Sequence, residues 1–216
     1  MRIDPDVLAA QNSRMTQTPD IGQQYDAIAE WWHAYHQDSD YGVAAVTRAL
    51  GFAGKGGRAL DVGCGAGGWL LRRLEASSFH VTGLDASAKM IELARREHPH
   101  GQFIQADITV WQTSDKFDFI LAWDSLFHLP LDQQAPVLAK LCERMGEGAV
   151  LLYSFGDAIG THTDKWRGQD FHYSSVGVTQ NLEILHANGM TLRHLECDQF
   201  PEKHVFAIAE KTVLDR

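Results

Sequence analysis

Asp61, Gly63, Gly65, Gly67 and Gly68 fall at the end of one apolar run, and Asp85 closes the next, Val81-Thr82-Gly83-Leu84. Glycines at alternate positions let a chain turn sharply from a strand into a helix, and they let a ligand approach the bare backbone. A carboxylate at the neighbouring strand tip can accept hydrogen bonds from a ribose diol. The combination implies an adenosine-bearing ligand. Further acids and a histidine sit where later strands should end: Asp107, Asp124 and His128. His128 has the chemistry of a general base, and Asp124 that of a group orienting an amine or alcohol; each has a plain alternative as a turn or capping residue.

The elements that must position these groups alternate. Strand-like runs cover 58–64, 80–85, 102–107, 117–123 and 148–155. Helix-period segments cover 23–36, 68–75, a stretch capped by Ser87, a stretch from Asp132 to Met145 stopped by Gly146, and 178–187. The tail breaks the alternation. Runs 190–196 and 204–211 have no helix between them and read as an antiparallel hairpin at one sheet edge. The predicted fold is α/β: a single-domain, Rossmann-like, doubly wound sheet, mostly parallel and seven-stranded, with a C-terminal antiparallel hairpin. Ligands of such sheets bind beyond the carboxyl ends of the strands. The tips to examine are therefore 63–67, Asp85, Asp107, 123–128 and 155–157. Residues 1–22 read as a polar N-terminal arm, and 23–216 as the domain.

With these motifs in place, the chain resembles the class I S-adenosylmethionine-dependent methyltransferases. The D-x-G-x-G-x-G signature is met by Asp61, Gly63, Gly65 and Gly67. The second-strand acid is Asp85, the third follows Gln105-Ala106 as Asp107, and the fourth-strand pattern runs from Phe117 to His128. The likeness extends over about 25–211. It implies S-adenosyl-L-methionine as cofactor, with the Gly63–Gly67 loop under its amino-acid portion and Asp61 orienting it. It further implies Asp85 on the ribose, Asp107 and Ile108 on the adenine, Ala86 and Met90 lining the adenine slot, and Ala122 and Trp123 near the methionine portion. The substrate implied is a small molecule, with His128 and Asp124 as the catalytic candidates.

Two other functions fit some of these residues. Gly63, Gly65 and Gly68 also satisfy G-x-G-x-x-G, so an NAD-dependent oxidoreductase is the enzymatic alternative. Asp61 two residues before the first glycine, the modest length and the closing hairpin weigh against it. A non-catalytic S-adenosylmethionine-binding module is the other alternative.

Bulk properties narrow the partners. A chain of 216 residues can form one domain burying roughly 70% of its unfolded surface. The net charge of −9 opposes phosphate backbones, and the pairs Arg72-Arg73 and Arg95-Arg96 read as solvated helix faces, so no nucleic-acid partner is expected. No long apolar run predicts a membrane span. Three scattered cysteines suit a reducing cytoplasm, and His162, His172, His204 and Glu202 lack ligand spacing, so no metal is expected. A monomer or a homodimer is expected. Cys64, between glycines before a helix, reads as a small residue that fits the turn, at a position where a thiol pKa can also fall, with nothing else marking a redox role. Trp31, Trp32 and Tyr35 suit a helix capping the cofactor or ordinary packing. The segment 156–175 reads as a long loop, either a lid or substrate wall or simply packed.

Overall fold

The computed structural model describes residues 20–213. The expected arm, 1–22, lies mostly outside them. Its last two residues already belong to a helix, α1 (Ile21–His36), whose N-cap Asp20 accepts from the Gly22 N–H at 3.0 Å. A short helix that the sequence pattern did not reveal, α2 (Val43–Leu50), follows.

The alternating core is β1 (Gly57–Val62), α3 (Trp69–Ala76), β2 (Phe79–Asp85), α4 (Ala88–Glu97), β3 (Gln102–Gln105) and β4 (Phe117–Ala122). After it come a 3₁₀ turn (Leu126–His128), α5 (Leu131–Glu143) and β5 (Met145–Gly156). The chain closes with β6 (Ile159–Trp166), β7 (Gln169–Val176), α6 (Gly177–Ala187), β8 (Met190–Cys197) and β9 (His204–Lys211). The main sheet has the order β3-β2-β1-β4-β5-β9-β8. β1 to β5 run parallel, and β9 pairs antiparallel with both β5 and β8. The expected doubly wound sheet with its terminal hairpin is therefore what forms. The antiparallel β9 next to β5 separates it from an all-parallel dinucleotide sheet.

Side-chain alternation splits the core into two layers. From β4, Phe117, Ile120 and Ala122 pack on one face with Val137, Leu138 and Leu141 of α5 and Leu185 of α6. Phe119 and Leu121 pack on the other with Val46 and Ala49 of α2, Leu70, Leu71 and Leu74 of α3, and Ile91 and Ala94 of α4. Both faces of the sheet are thus covered, which is why its strands read as near-continuous apolar runs. Met90 and Leu93, on the outer side of α4, meet Ala29 of α1 and draw that helix across the strand tips.

Three expectations change. The segment 156–175 is not a loop: β6 and β7 form a separate two-stranded hairpin. Asp132 does not cap α5. Pro130 occupies the N-cap, and Asp132 lies in the first turn, where its charge complements the helix dipole. Gly146 does not stop α5 either; it already lies in β5, which begins at Met145. Among the described residues, no helix is long and apolar enough to cross a membrane, and no cluster of His, Cys, Asp and Glu could hold a metal ion.

Candidate active site

The glycine turn after β1 is shaped by backbone angles that favour glycine. Gly63, Gly65 and Gly67 have φ of 75°, 53° and 71°. A Cβ on Gly63 would lie 2.4 Å from Cβ of Ser125, so the turn and the β4 tip touch without room for a methyl group. The turn is fastened on both sides. The Gly63 N–H donates to the Leu84 carbonyl at 2.7 Å, and the Gly65 N–H donates to Asp85 Oδ2 at 2.8 Å. Behind it, the buried His98 bonds the Gly67 carbonyl through Nε2 and meets Glu75 through Nδ1 at 2.8 Å. His98 carried no signal in the sequence, because its partners lie 31 and 23 residues away.

The turn floors a cleft of about 210 Å³. Asp61, Gly63, Gly65, Asp85, Ala86, Met90, Asp107, Ile108, Trp123, Asp124 and His128 all line it, so most residues singled out from the sequence do converge. Gly67 and Ala122 do not line it. The Gly67 carbonyl is turned back to His98, and Ala122 is sealed in the sheet core. The roof was only partly foreseen. Tyr25, Trp32 and His36 of α1 contribute, joined by Tyr41 and by Trp69 of α3. Trp31 and Tyr35 stack on each other at 4.7 Å away from the cleft.

Burial sets the charges. Desolvation, then the Asp85 charge, pushes the Asp61 carboxyl up to about 7. Asp85 is pushed up to about 6 by burial, against the opposing pull of the Ser87 and Gly65 N–H groups. Asp107 Oδ1 accepts from the Thr109 N–H at 2.8 Å, an Asx turn that fixes the β3 tip. Lys140 of α5 braces the same tip through the carbonyls of Ile108 and Trp111. Cys64 is buried, and desolvation raises its thiol pKa well above the ordinary value, so the position does not activate it.

His128 lines the cleft but is fully engaged. Its Nε2 meets the Tyr25 hydroxyl at 2.9 Å, and its Nδ1 the His172 carbonyl at 3.1 Å. Burial drives its pKa down to about 4. Asp124 adopts φ 50° just past β4. Its N–H donates to Ser154 Oγ at 2.7 Å, and its Oδ1 accepts from that hydroxyl at 2.9 Å and faces His204 Nε2 at 2.8 Å.

The β6–β7 hairpin does not line the cleft. It backs the wall instead: Phe171 packs at 5.2 Å from Tyr25, and Trp166 meets Trp31 at 5.1 Å. The tip at 155–157 leads into this hairpin and stays outside the cleft.

The residues present suit an adenosyl amino-acid ligand. Two buried polar atoms in the cleft wall, Trp123 Nε1 and Ser125 Oγ, have no hydrogen-bond partner among the described residues. Beside them lie a carboxyl pair and a backbone turn that a side chain would block.

Comparison with known proteins agrees with this geometry. Residues 59–148 match the family model described as "Methyltransferase domain". A trans-aconitate 2-methyltransferase of Rhizobium etli is 33% identical over 106 residues, covering 48% of this chain and 40% of that protein. A ubiquinone biosynthesis O-methyltransferase of Aromatoleum aromaticum is 29% identical over 145 residues, covering 61% and 60%. The chain thus aligns with about two fifths to three fifths of these relatives' lengths. In shape, it resembles the Burkholderia thailandensis 1,6-didemethyltoxoflavin-N1-methyltransferase, solved with its acceptor and S-adenosylhomocysteine. The TM-score is 0.70 at 17% identity, covering 99% of this chain and 92% of that one. A Clostridium acetobutylicum S-adenosylmethionine-dependent methyltransferase gives 0.66 at 12%, covering 85% and 98%. In sequence the chain matches a methyltransferase domain from β1 into β5, and across the whole sheet it shares the fold of these solved S-adenosylmethionine-dependent methyltransferases.

Proposed function

We propose that this chain transfers a methyl group from S-adenosylmethionine to a small-molecule acceptor by in-line displacement. The observation that carries the reading is convergence: the glycine turn, the acidic tips Asp85 and Asp107, and Trp123-Asp124 share one cleft. In this reading, Asp85 holds the ribose hydroxyls and Asp107 with Ile108 takes the adenine, whose slot Ala86 and Met90 line. The Gly63–Gly65 backbone and Asp61 receive the amino-acid portion. S-adenosylmethionine, when bound, supplies an activated methyl and its own leaving group, so the chain's main contribution is alignment. Fixing acceptor and methyl near contact is worth roughly 7–11 kcal/mol of barrier.

A small acceptor is supported by a cleft roofed by α1 and by the chain's net charge of −9. The two relatives above are named for trans-aconitate and for ubiquinone biosynthesis. As proton acceptor, Asp124 is better placed than His128, whose two ring nitrogens are occupied and whose basicity is suppressed.

Calorimetry with S-adenosylhomocysteine, NAD and NADP tests the cofactor class. Binding of S-adenosylhomocysteine alone is expected, and binding of a dinucleotide in its place overturns the reading. A screen for S-adenosylhomocysteine release across small acceptors then tests turnover, and its absence with every acceptor leaves a binding module.

A further inference from the structure

His204 opens β9, yet it reaches the cleft wall from beneath. Its Nε2 lies 2.8 Å from Asp124 Oδ1 and its Nδ1 2.5 Å from Asp198 Oδ1. Asp198 comes from the turn after β8. The Tyr41 hydroxyl stands 3.5 Å from the same Nε2 and accepts from Gln199 Nε2 at 2.6 Å. Three chain segments remote in sequence, at Tyr41, Asp124 and 198–204, thus meet around a carboxylate–imidazole–carboxylate chain. Asp124 and Tyr41 face the cleft, and His204 and Asp198 stand behind them.

Three features show a built arrangement. The Asp124 backbone is held at a left-handed φ that is uncommon without glycine. Ser154, fully buried in β5, ties both the N–H and the Oδ1 of Asp124. The His204 ring packs 5.4 Å from the indole of Trp123, the side chain placed beside the methionine portion in the reading above.

The geometry points to Asp124 as the group that takes a proton from the methyl acceptor, with His204 and Asp198 as its positioning residues and a neutral hydroxyl compound as the acceptor. The inference rests on the methyltransferase reading and deepens it. An acceptor carrying a carboxylate would meet the acid Asp124 in the cleft wall. Among the described residues, Arg72 is the arginine lining the cleft, and it already donates to the Gln37 carbonyl at 3.0 Å. A neutral amine needs no base before attack, whereas an alcohol or phenol gains from one. The aromatic roof of Tyr41, Trp32 and Trp69 suits a flat acceptor body.

The step balances. As the acceptor oxygen forms its bond to the methyl carbon, the carbon–sulfur bond breaks and sulfur keeps the electron pair as a thioether. The hydroxyl proton passes to the Asp124–His204 pair. Asp124 and Asp198 raise the His204 pKa despite the opposing cost of its burial. Asp124, Asp198 and Tyr41 are the ionisable groups facing that ring from the packed segments. The pair accepts a proton once His204 is neutral, so turnover should climb as pH rises through the raised His204 value.

The full chain is assayed from pH 5.5 to 9.5 against neutral phenols and alcohols, carboxylates and primary amines, with S-adenosylhomocysteine affinity measured in parallel. Turnover is expected with hydroxyl acceptors, along an ascending limb whose midpoint lies above the ordinary histidine range near 6.5. Asp124→Asn should lower kcat by at least ~100-fold with S-adenosylhomocysteine affinity within twofold. His204→Gln should abolish the limb, and Asp198→Asn should move its midpoint down. A readout free of turnover follows the His204 ring by NMR in the cofactor-free protein. Added phenol should shift its titration midpoint in the unmutated chain and not in Asp124→Asn.

Turnover confined to amines or carboxylates, a limb that persists in His204→Gln, or a midpoint unmoved by phenol overturns the inference alone. Failure of the unmutated chain to bind S-adenosylhomocysteine overturns the methyltransferase reading and this one with it.

Discussion

Asp85 carries two backbone bonds before any ligand arrives, one to Gly65 and one to Ser87 at the start of α4. A carboxylate has about four acceptor sites, so two remain for a diol. Asp85→Ala should therefore act twice, removing the ribose partner and loosening the glycine turn. A loss of about 2 kcal/mol, roughly 30-fold in S-adenosylhomocysteine affinity by calorimetry, is expected. An affinity within twofold of the unmutated chain removes Asp85 from the site. Residues of this kind were legible because their types and spacing travel together: Asp61, the glycines and Asp85 lie within 25 residues. His204 was not, because its partner Asp124 lies 80 residues away and no local pattern joins them. His128 lines the cleft. Its two hydrogen bonds, which curb its basicity, depend on α1 and β7 and were invisible from its own neighbourhood.

Among the elements, the parallel strands announced themselves by apolar runs, and the tail hairpin by two such runs without a helix. The β6–β7 hairpin escaped because all of β6 is exposed, so its side chains carry no alternation of apolar and polar. Its turn did carry a signal: Arg167 and Gly168, both at positive φ, form the two-residue connection between Trp166 and Gln169. α2 escaped because eight residues give barely two turns of pattern. How α3 and α4 grip the glycine turn is likewise a property of elements rather than of a motif. His98, just past α4, joins Glu75 of α3 to the Gly67 carbonyl. His98→Phe keeps an aromatic ring and leaves that carbonyl unpaired, a penalty of about 1–3 kcal/mol. A loss of S-adenosylhomocysteine affinity of about tenfold, with a Tm lower by a few degrees in a thermal scan, is the expected result. Unchanged affinity and Tm would show that the turn holds its shape without the histidine.

At the scale of the whole molecule, the site works against the stability of the unliganded fold at neutral pH. The Asp61 pKa is raised from 3.8 to about 7 in the folded chain. A raised folded value contributes stability that is fully present below the unfolded pKa and is lost as pH rises through the folded one. His128 acts oppositely. Lowered from 6.5 to about 4, it contributes stability above 6.5 that is lost as pH falls toward 4. Comparing the unmutated chain with Asp61→Asn cancels His128 and every other shared group. Between pH 6 and 8 the unmutated chain should lose about 1 kcal/mol more than the variant, a Tm difference of roughly 2–4 °C in parallel melts. Parallel pH curves would show that Asp61 stays ionised throughout. The roof adds a kinetic consequence. α1 approaches the β2–α4 turn so closely that a Cβ on Gly22 would lie 2.6 Å from the Ala86 carbonyl, and its aromatic side chains hang over the same opening. On the proposed reading, a spent nucleoside would have to leave past a door resting on its frame. Its residence time would then be expected to follow how readily that helix swings away, which stopped-flow release of S-adenosylhomocysteine would measure.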